Sequence, residues 1–262
     1  SCMRRRPRRA PPPCFNMKIG AALDFNLIDY PGKIAAVAFT PGCNYSCPHC
    51  HAKPLLSGGG PATVNEDDFI AYLGTVRDWV NGVVLCGGEP TLQPDLEDFI
   101  QRVRGEGLPV KLDTNGSHPA VLERLLSAKL VDYVAMDLKG PRDLWANLSG
   151  ADGSEDAMLE SLRLVSRFPD HEFRTTVAPV VRAGGDISFL TADEMARAAQ
   201  LLARHTGEAG HKYYLQKFVP RKGGLVDPRL ETFPETPPQL LQDIRERVLK
   251  YLPNTEIRGQ MQ

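Results

Sequence analysis

The sequence predicts an α/β fold: an open or partial barrel of six βα units, with parallel strands and an active site at the strand C-terminal ends. Three observations lead there. Strand-like runs alternate with helix-like runs along the chain, the order that specifies parallel strands covered by helices. The unusual polar motifs fall where strand-like runs end, which is where such folds leave backbone free for chemistry. A length of 262 residues suffices for one α/β barrel.

The strand-like runs are Lys33 to Thr40, Gly82 to Cys86, Pro109 to Leu112, Val131 to Met136, Glu172 to Val177 and Lys212 to Lys217. Between the first two, Phe69, Ile70, Leu73, Val76 and Val80 recur at helical spacing. Leu96, Phe99, Ile100 and Val103 repeat that pattern, as do Val121, Leu122, Leu125 and Leu126. Leu159, Leu162 and Val165 mark a fourth helix, and Met195, Ala198, Leu201 and Leu202 a fifth. The last helix, Leu240 to Tyr251, comes after the start signal Pro237-Pro238. Residues 57–61, SGGGP, read as a flexible loop, and no repeat or compositional break divides residues 17–262, which are expected to form one domain.

Hydrophobic residues make up 42% and charged residues 24%, ordinary values for a soluble globular chain. No apolar run approaches the roughly 18 residues that cross a bilayer. Five of the 31 basic residues, Arg4, Arg5, Arg6, Arg8 and Arg9, lie in the opening segment, so the rest of the chain carries 26 basic against 32 acidic groups. A body of that sign does not suit nucleic acid, and neither nucleic acid nor membrane is expected as a partner. Residues 1–16 read as a disordered Arg/Pro-rich extension with Met17 as the natural start. They lack the apolar core of a secretory signal, and although Arg-rich and acid-free they lack a transit peptide's amphipathic pattern. A cytoplasmic location is expected, in which cysteines are thiols or cluster ligands.

Cys43-Asn44-Tyr45-Ser46-Cys47-Pro48-His49-Cys50 spells C-x3-C-x2-C after the first strand. Three thiolates so spaced can take three irons of a cubane and leave the fourth open. Other readings stand beside it. Cys43, Cys47, Cys50 and His51 could close a structural zinc site, Cys47 to His51 matches the C-x-x-C-H of haem attachment, or the cysteines are merely buried.

Gly87-Gly88-Glu89-Pro90 comes after the second strand and Asp113-Thr114-Asn115-Gly116 after the third. With the cysteine loop, these resemble the radical S-adenosylmethionine (SAM) superfamily. In particular, MKIGAALDFNLIDYPGKIAAVAFTPGCNYSCPHC, VVLCGGEPTLQPDL, VKLDTNG, VDYVAMDLKG, EFRTTVAP and YYLQKF, running from Met17 to about Phe218, resemble the longer form of the anaerobic ribonucleoside-triphosphate reductase activating proteins. That is a family of glycyl radical enzyme activating enzymes.

The resemblance implies a TIM-like partial barrel whose catalytic and metal residues Cys43, Cys47 and Cys50 hold a 4Fe-4S cluster. A low-potential donor such as flavodoxin or ferredoxin reduces the cluster, and SAM is cleaved to a 5'-deoxyadenosyl radical that abstracts hydrogen from a glycine of a partner. The partner implied is an anaerobic ribonucleotide reductase. Gly87 and Gly88 let backbone approach SAM, while Glu89 offsets its positive charge. Asp113, Thr114 and Asp137 are hard oxygen ligands for a monovalent cation, with Ala135 at the fourth position able to offer only its carbonyl. Asn115 completes the third motif, and Lys139 and Arg174 suit the SAM carboxylate. Gln216 and Phe218 border the adenine. His49 stands where the superfamily usually has an aromatic residue against adenine, so a pH-sensitive contact is expected. Cys86 reads as a small buried residue. A small-molecule radical SAM enzyme, such as a 7-carboxy-7-deazaguanine synthase, shares the cysteine and GGEP logic. DTNG with MDLK favours an activating enzyme.

Overall fold

The computed structural model describes residues 16–57, 63–151 and 155–259. Residues 1–15 of the expected extension and residues 58–61 of the expected flexible loop lie outside that set. The chain runs β1 (Ala21–Asn26), β2 (Ala35–Thr40), α1 (Lys53–Leu56), α2 (Glu66–Val76), β3 (Gly82–Gly87), α3 (Leu96–Gly105), β4 (Val110–Thr114) and α4 (Pro119–Ser127). It continues β5 (Tyr133–Asp137), α5 (Trp145–Ser149), α6 (Glu155–Val165), β6 (Asp170–Val177), β7 (Pro179–Val181), β8 (Ile187–Phe189), α7 (Ala192–Thr206), β9 (Tyr213–Lys217), α8 (Pro238–Val248) and β10 (Thr255–Arg258).

All six expected strands form, each within two residues of its expected ends. The sheet is larger than expected, in the order β1-β2-β3-β4-β5-β6-β9-β10. Strands β2 to β6, β9 and β10 are parallel, and β1 joins β2 antiparallel. Edge strands β1 and β10 were not expected, because AALDFN and TEIR carry charges inside short segments and a neighbour's backbone supplies the pairing. Nor was the separate β7-β8 hairpin. No described pairing joins β1 to β10, so the barrel stays open on that side.

Helix starts are encoded locally. The Asn65 side chain accepts from the amides of Asp67 and Asp68 at 2.8 and 3.2 Å, opening α2. Thr191 and Glu194 form a reciprocal capping box that opens α7. The apolar spacing that runs on to Val80 overstates α2, which ends at Val76. Val80 reaches the core from the turn beyond it. The last helix likewise ends at Val248 rather than Tyr251.

Alternation along the strands makes two interiors. Leu85, Leu112, Val134 and Phe173 face the helices and pack with Phe99, Ile100, Leu122 and Leu162. Each such side chain contributes roughly 1.5–3 kcal/mol of burial. On the barrel side, Tyr30, Ala35, Val37, Val84, Tyr133 and Ala135 form a small apolar floor. Lys111, Asp113, Asp137, Glu172 and Arg174 share the strand parity of that inner face. Parallel pairing sets Asp137 beside Arg174 and Asp113 beside Ala135, which gathers charge toward the strand C-termini.

Candidate active site at the strand C-termini

The cysteine loop leaves β2 and is held from several sides. Gly42 donates to the Leu55 carbonyl at 2.6 Å, and Cys50 to that of Cys47 at 2.9 Å. The amides of Tyr45 and Ala52 point at the sulfurs of Cys43 and Cys50, each at 3.4 Å. Ser46 donates from its amide to Ser149 O at 2.9 Å and from its hydroxyl to Gly150 O at 3.0 Å. Gly150 ends α5 in a left-handed conformation (φ 65°), and a Cβ there would run into Ser46. Sequence reasoning missed this support, whose only signal is a glycine after a short helix.

Cys43, Cys47 and Cys50 line one cavity of about 190 Å³ with Cys86, Gly87, Gly88, Glu89, Asp113, Thr114, Asn115, Asp137, Lys139 and Arg174. Cys86 is half-buried and faces this cavity, rather than serving only as filler. Burial pushes the Cys43 thiol up to about 11 and raises Cys50 as well, so a thiolate here calls for positive metal charge. The zinc and haem readings both need His51, whose Nε2 meets the Val219 carbonyl at 2.9 Å and whose Nδ1 that contact leaves free. Among the described residues, no three His, Cys, Asp or Glu side chains converge on the point a single ion would occupy. A cubane needs its three thiolates on separate corners, an arrangement this spread fits.

The glycine pair lies flush against that loop. Gly87 has φ 115°, and a Cβ there would meet the Thr40 amide nitrogen at 2.5 Å. One on Gly88 would overlap the Gly42 carbonyl. Glycine at both positions therefore lets the end of β3 pack directly on the backbone at the base of the cysteine loop.

Glu89 does something the sequence did not show. Fully buried, its carboxylate accepts from the Thr91 amide at 3.2 Å and hydroxyl at 2.5 Å, from Thr114 Oγ1 at 2.7 Å and from the Asn115 amide at 2.7 Å. Burial raises its pKa even so. Glu89 thus ties the end of β3 to the end of β4, and Asn115 carries the tie to the cysteine loop through Asn44 Oδ1 at 3.0 Å. In Glu89→Gln the amide group must face at least one of these donors. Stability should fall by about 1–3 kcal/mol, the cost of an unsatisfied buried group, read as a lower urea midpoint. An unchanged midpoint would show that the tie is not structural.

Beside it sits a carboxylate and cation network. Asp113 accepts from Lys111 Nζ and from Arg174 Nη1, the latter at 2.8 Å. Asp137 accepts from Arg174 Nε and from Lys139 Nζ, both at 3.0 Å. Burial alone would raise both carboxyls, but Arg174 with Lys111 at Asp113, and Lys139 with Arg174 at Asp137, hold them well below the usual range. Lys139 is only 12% exposed, so its ammonium group is largely withdrawn from solvent beside the more open Asp137. Arg174 lines the cysteine cavity and bridges the two carboxylates. Of the three residues expected to take a cation, Thr114 turns its hydroxyl to Glu89.

A neighbouring cavity of about 330 Å³ brings His49, Gln216 and Phe218 together with His51, Thr176 and Lys217. His49 Nδ1 is buried with no hydrogen-bond partner, an orphaned polar atom of the kind a bound heterocycle could satisfy. Burial pushes His49 down to about 3, and Lys139 adds to the effect.

Comparison with known proteins shows the family. The Radical SAM superfamily model matches residues 37–182. A Methanocaldococcus jannaschii protein, provisionally named a glycyl-radical enzyme activating enzyme, is 32% identical over 251 residues, covering 92% of this chain and 95% of that one. An Fe-coproporphyrin III synthase of Methanosarcina barkeri is 29% identical over 135 residues, 47% of this chain and 31% of its own. Among solved structures, Streptococcus suis SuiB bound to its precursor peptide SuiA superposes with a TM-score of 0.63 at 14% identity, over 85% of this chain and 48% of SuiB. That likeness concerns the fold, and the chain spans about half of SuiB's length. The family implies a 4Fe-4S cluster and SAM, and the chain belongs to the radical SAM superfamily, in the family of its Methanocaldococcus relative.

Proposed function

We propose that this enzyme, acting through residues 17–262 as one domain, makes a glycyl radical in a partner protein, an anaerobic ribonucleotide reductase. Cys43, Cys47 and Cys50 would hold a 4Fe-4S cluster, which together with SAM would supply one-electron chemistry able to take a glycine α-hydrogen. The chain's own residues bind and orient. Gly87 and Gly88, which line the cysteine cavity, would receive the methionine end of SAM, Lys139 and Arg174 would meet its carboxylate, and His49, Gln216 and Phe218 would border its adenine. Asp113, Asn115 and Asp137 hold those groups in place. A monovalent cation at Asp113, Thr114 and Asp137 requires Arg174 to move aside. The chemistry suits a reducing cytoplasm, with flavodoxin or ferredoxin as donor.

One observation carries the choice of a protein substrate. The open side of the barrel is edged by Leu23, Phe25, Leu27 and Ile28, exposed by 44%, 69%, 70% and 85%. Ile28 also lines a cavity of about 400 Å³ with Asp29, Pro31, Gln216, Lys217 and Arg258. Arg174 belongs to this cavity and to the cysteine cavity alike, so the two meet at its guanidinium. An exposed apolar strip leading to the reactive centre suits a docked protein better than a small polar substrate. Mixing reduced enzyme, SAM and the reductase without oxygen should produce a glycyl radical doublet by electron paramagnetic resonance. Phe25→Asp with Ile28→Asp should lower its yield roughly tenfold, as loss of an apolar anchor does, without changing SAM cleavage in the partner's absence. Vigorous SAM cleavage with no doublet would remove this partner, and a clean small-molecule product would favour the synthase reading.

A further inference from the structure

The reaction needs an electron from outside, and the cysteine loop is accessible from a second face. After β9 the chain arcs across this loop and is fastened to it at both ends. The Val219 carbonyl meets His51 Nε2 at 2.9 Å, and the Asp227 amide donates to the Pro48 carbonyl at 3.0 Å. Between the fasteners stand Arg221 and Lys222, both exposed, and two residues beyond His51 stands Lys53, also exposed. None of the three is ion-paired among the described residues. The other charges nearby are spoken for. Asp227 is paired with Arg229 at 2.6 Å and Lys217 with Glu235 at 2.8 Å. Glu231 accepts the Gly223 amide at 2.8 Å and that of Leu225 at 3.4 Å. Three free cations against one carboxylate leave this rim positive, on a chain whose residues beyond 16 are acidic overall.

We infer that Lys53, Arg221 and Lys222 form the docking rim for an acidic, low-potential electron-transfer protein, which delivers its electron through the cysteine loop. Opposite charge would steer such a donor to this face of the loop, and away from the acidic remainder. The donor loses one electron and the cluster gains it, with no other bond or proton involved. This inference rests on the radical-generating reading of the same site.

The probe is a flavodoxin of acidic surface, with binding to the iron-loaded enzyme measured by titration calorimetry at low and high salt. Wild type should bind it more weakly as salt rises. The triple variant Lys53→Glu, Arg221→Glu, Lys222→Glu should bind roughly tenfold more weakly or worse at low salt, the scale of lost charge steering. Its iron content and its SAM cleavage driven by dithionite, which needs no docking, should stay at wild-type values. Equal binding by variant and wild type would overturn the inference, as would salt-independent binding or no binding by wild type. So would loss of dithionite-driven cleavage in the variant, which would make the rim structural. Failure of the underlying reading is separate: wild type would then cleave no SAM even with dithionite.

Discussion

Cys43→Ala, Cys47→Ala and Cys50→Ala should each abolish SAM cleavage and reduce iron from about four atoms per chain, the content of one cubane, to background. In the proposed ligand set each thiolate would hold a different corner, so loss of any one would leave the cubane short of a ligand. Cys86 sits on β3, outside the C-x3-C-x2-C loop. Cys86→Ala should therefore keep its iron and its activity, although Cys86 lines the same cavity. Anaerobic reconstitution, iron analysis and a 5'-deoxyadenosine assay decide it. If Cys86→Ala lost its cluster as completely as Cys50→Ala, the ligand set would be wrong. One zinc per chain without iron-sulfur absorbance would remove the cluster altogether.

Gly88→Ala should be nearly as damaging, by a purely steric route. The added Cβ overlaps the Gly42 carbonyl, and neither backbone can step aside. The Gly88 amide donates to Thr40 O and the Glu89 amide to Gly42 O, both at 2.8 Å, which pins the two loops together. Relief requires the cysteine loop to shift at its base, next to Cys43. Overpacking of this kind costs about 1–3 kcal/mol, and iron loading should fall severely with it. Gly105→Ala is the control. Gly105 ends α3 with nothing within 4 Å of an added Cβ, so the change should be neutral or slightly stabilising. Full iron loading in Gly88→Ala would show that the glycine pair is not the cradle described here.

Much of this molecule is legible in its sequence. The six central strands and the amphipathic helices arise from local periodicity, because burial of one face demands a repeat of two or 3.6 residues. The cysteine loop and the glycine pair are legible for the same reason, since each is a short contiguous string whose chemistry lies in its spacing. Strands β1 and β10 are not, as their short charged segments become strands only when a neighbour offers a ladder. That difference leaves the barrel open where the apolar strip is exposed.

The tertiary structure alone decided how the polar side chains spend their charge. Glu89 was readable as a carboxylate near a cation, yet its partners Thr91, Thr114 and Asn115 come from two loops and consume it as a tie. Arg174 could be placed in the site from its strand, but its bridge joins Asp113 and Asp137, which lie 61 and 37 residues away. The seat of Ser46 against Gly150 spans 104 residues, and the strap from Val219 back to His51 spans 168. Periodicity describes which face of an element is buried and local spacing describes what a loop can ligate. Neither specifies which distant hydrogen-bonding groups meet, because that depends on how the completed sheet brings its strand ends together.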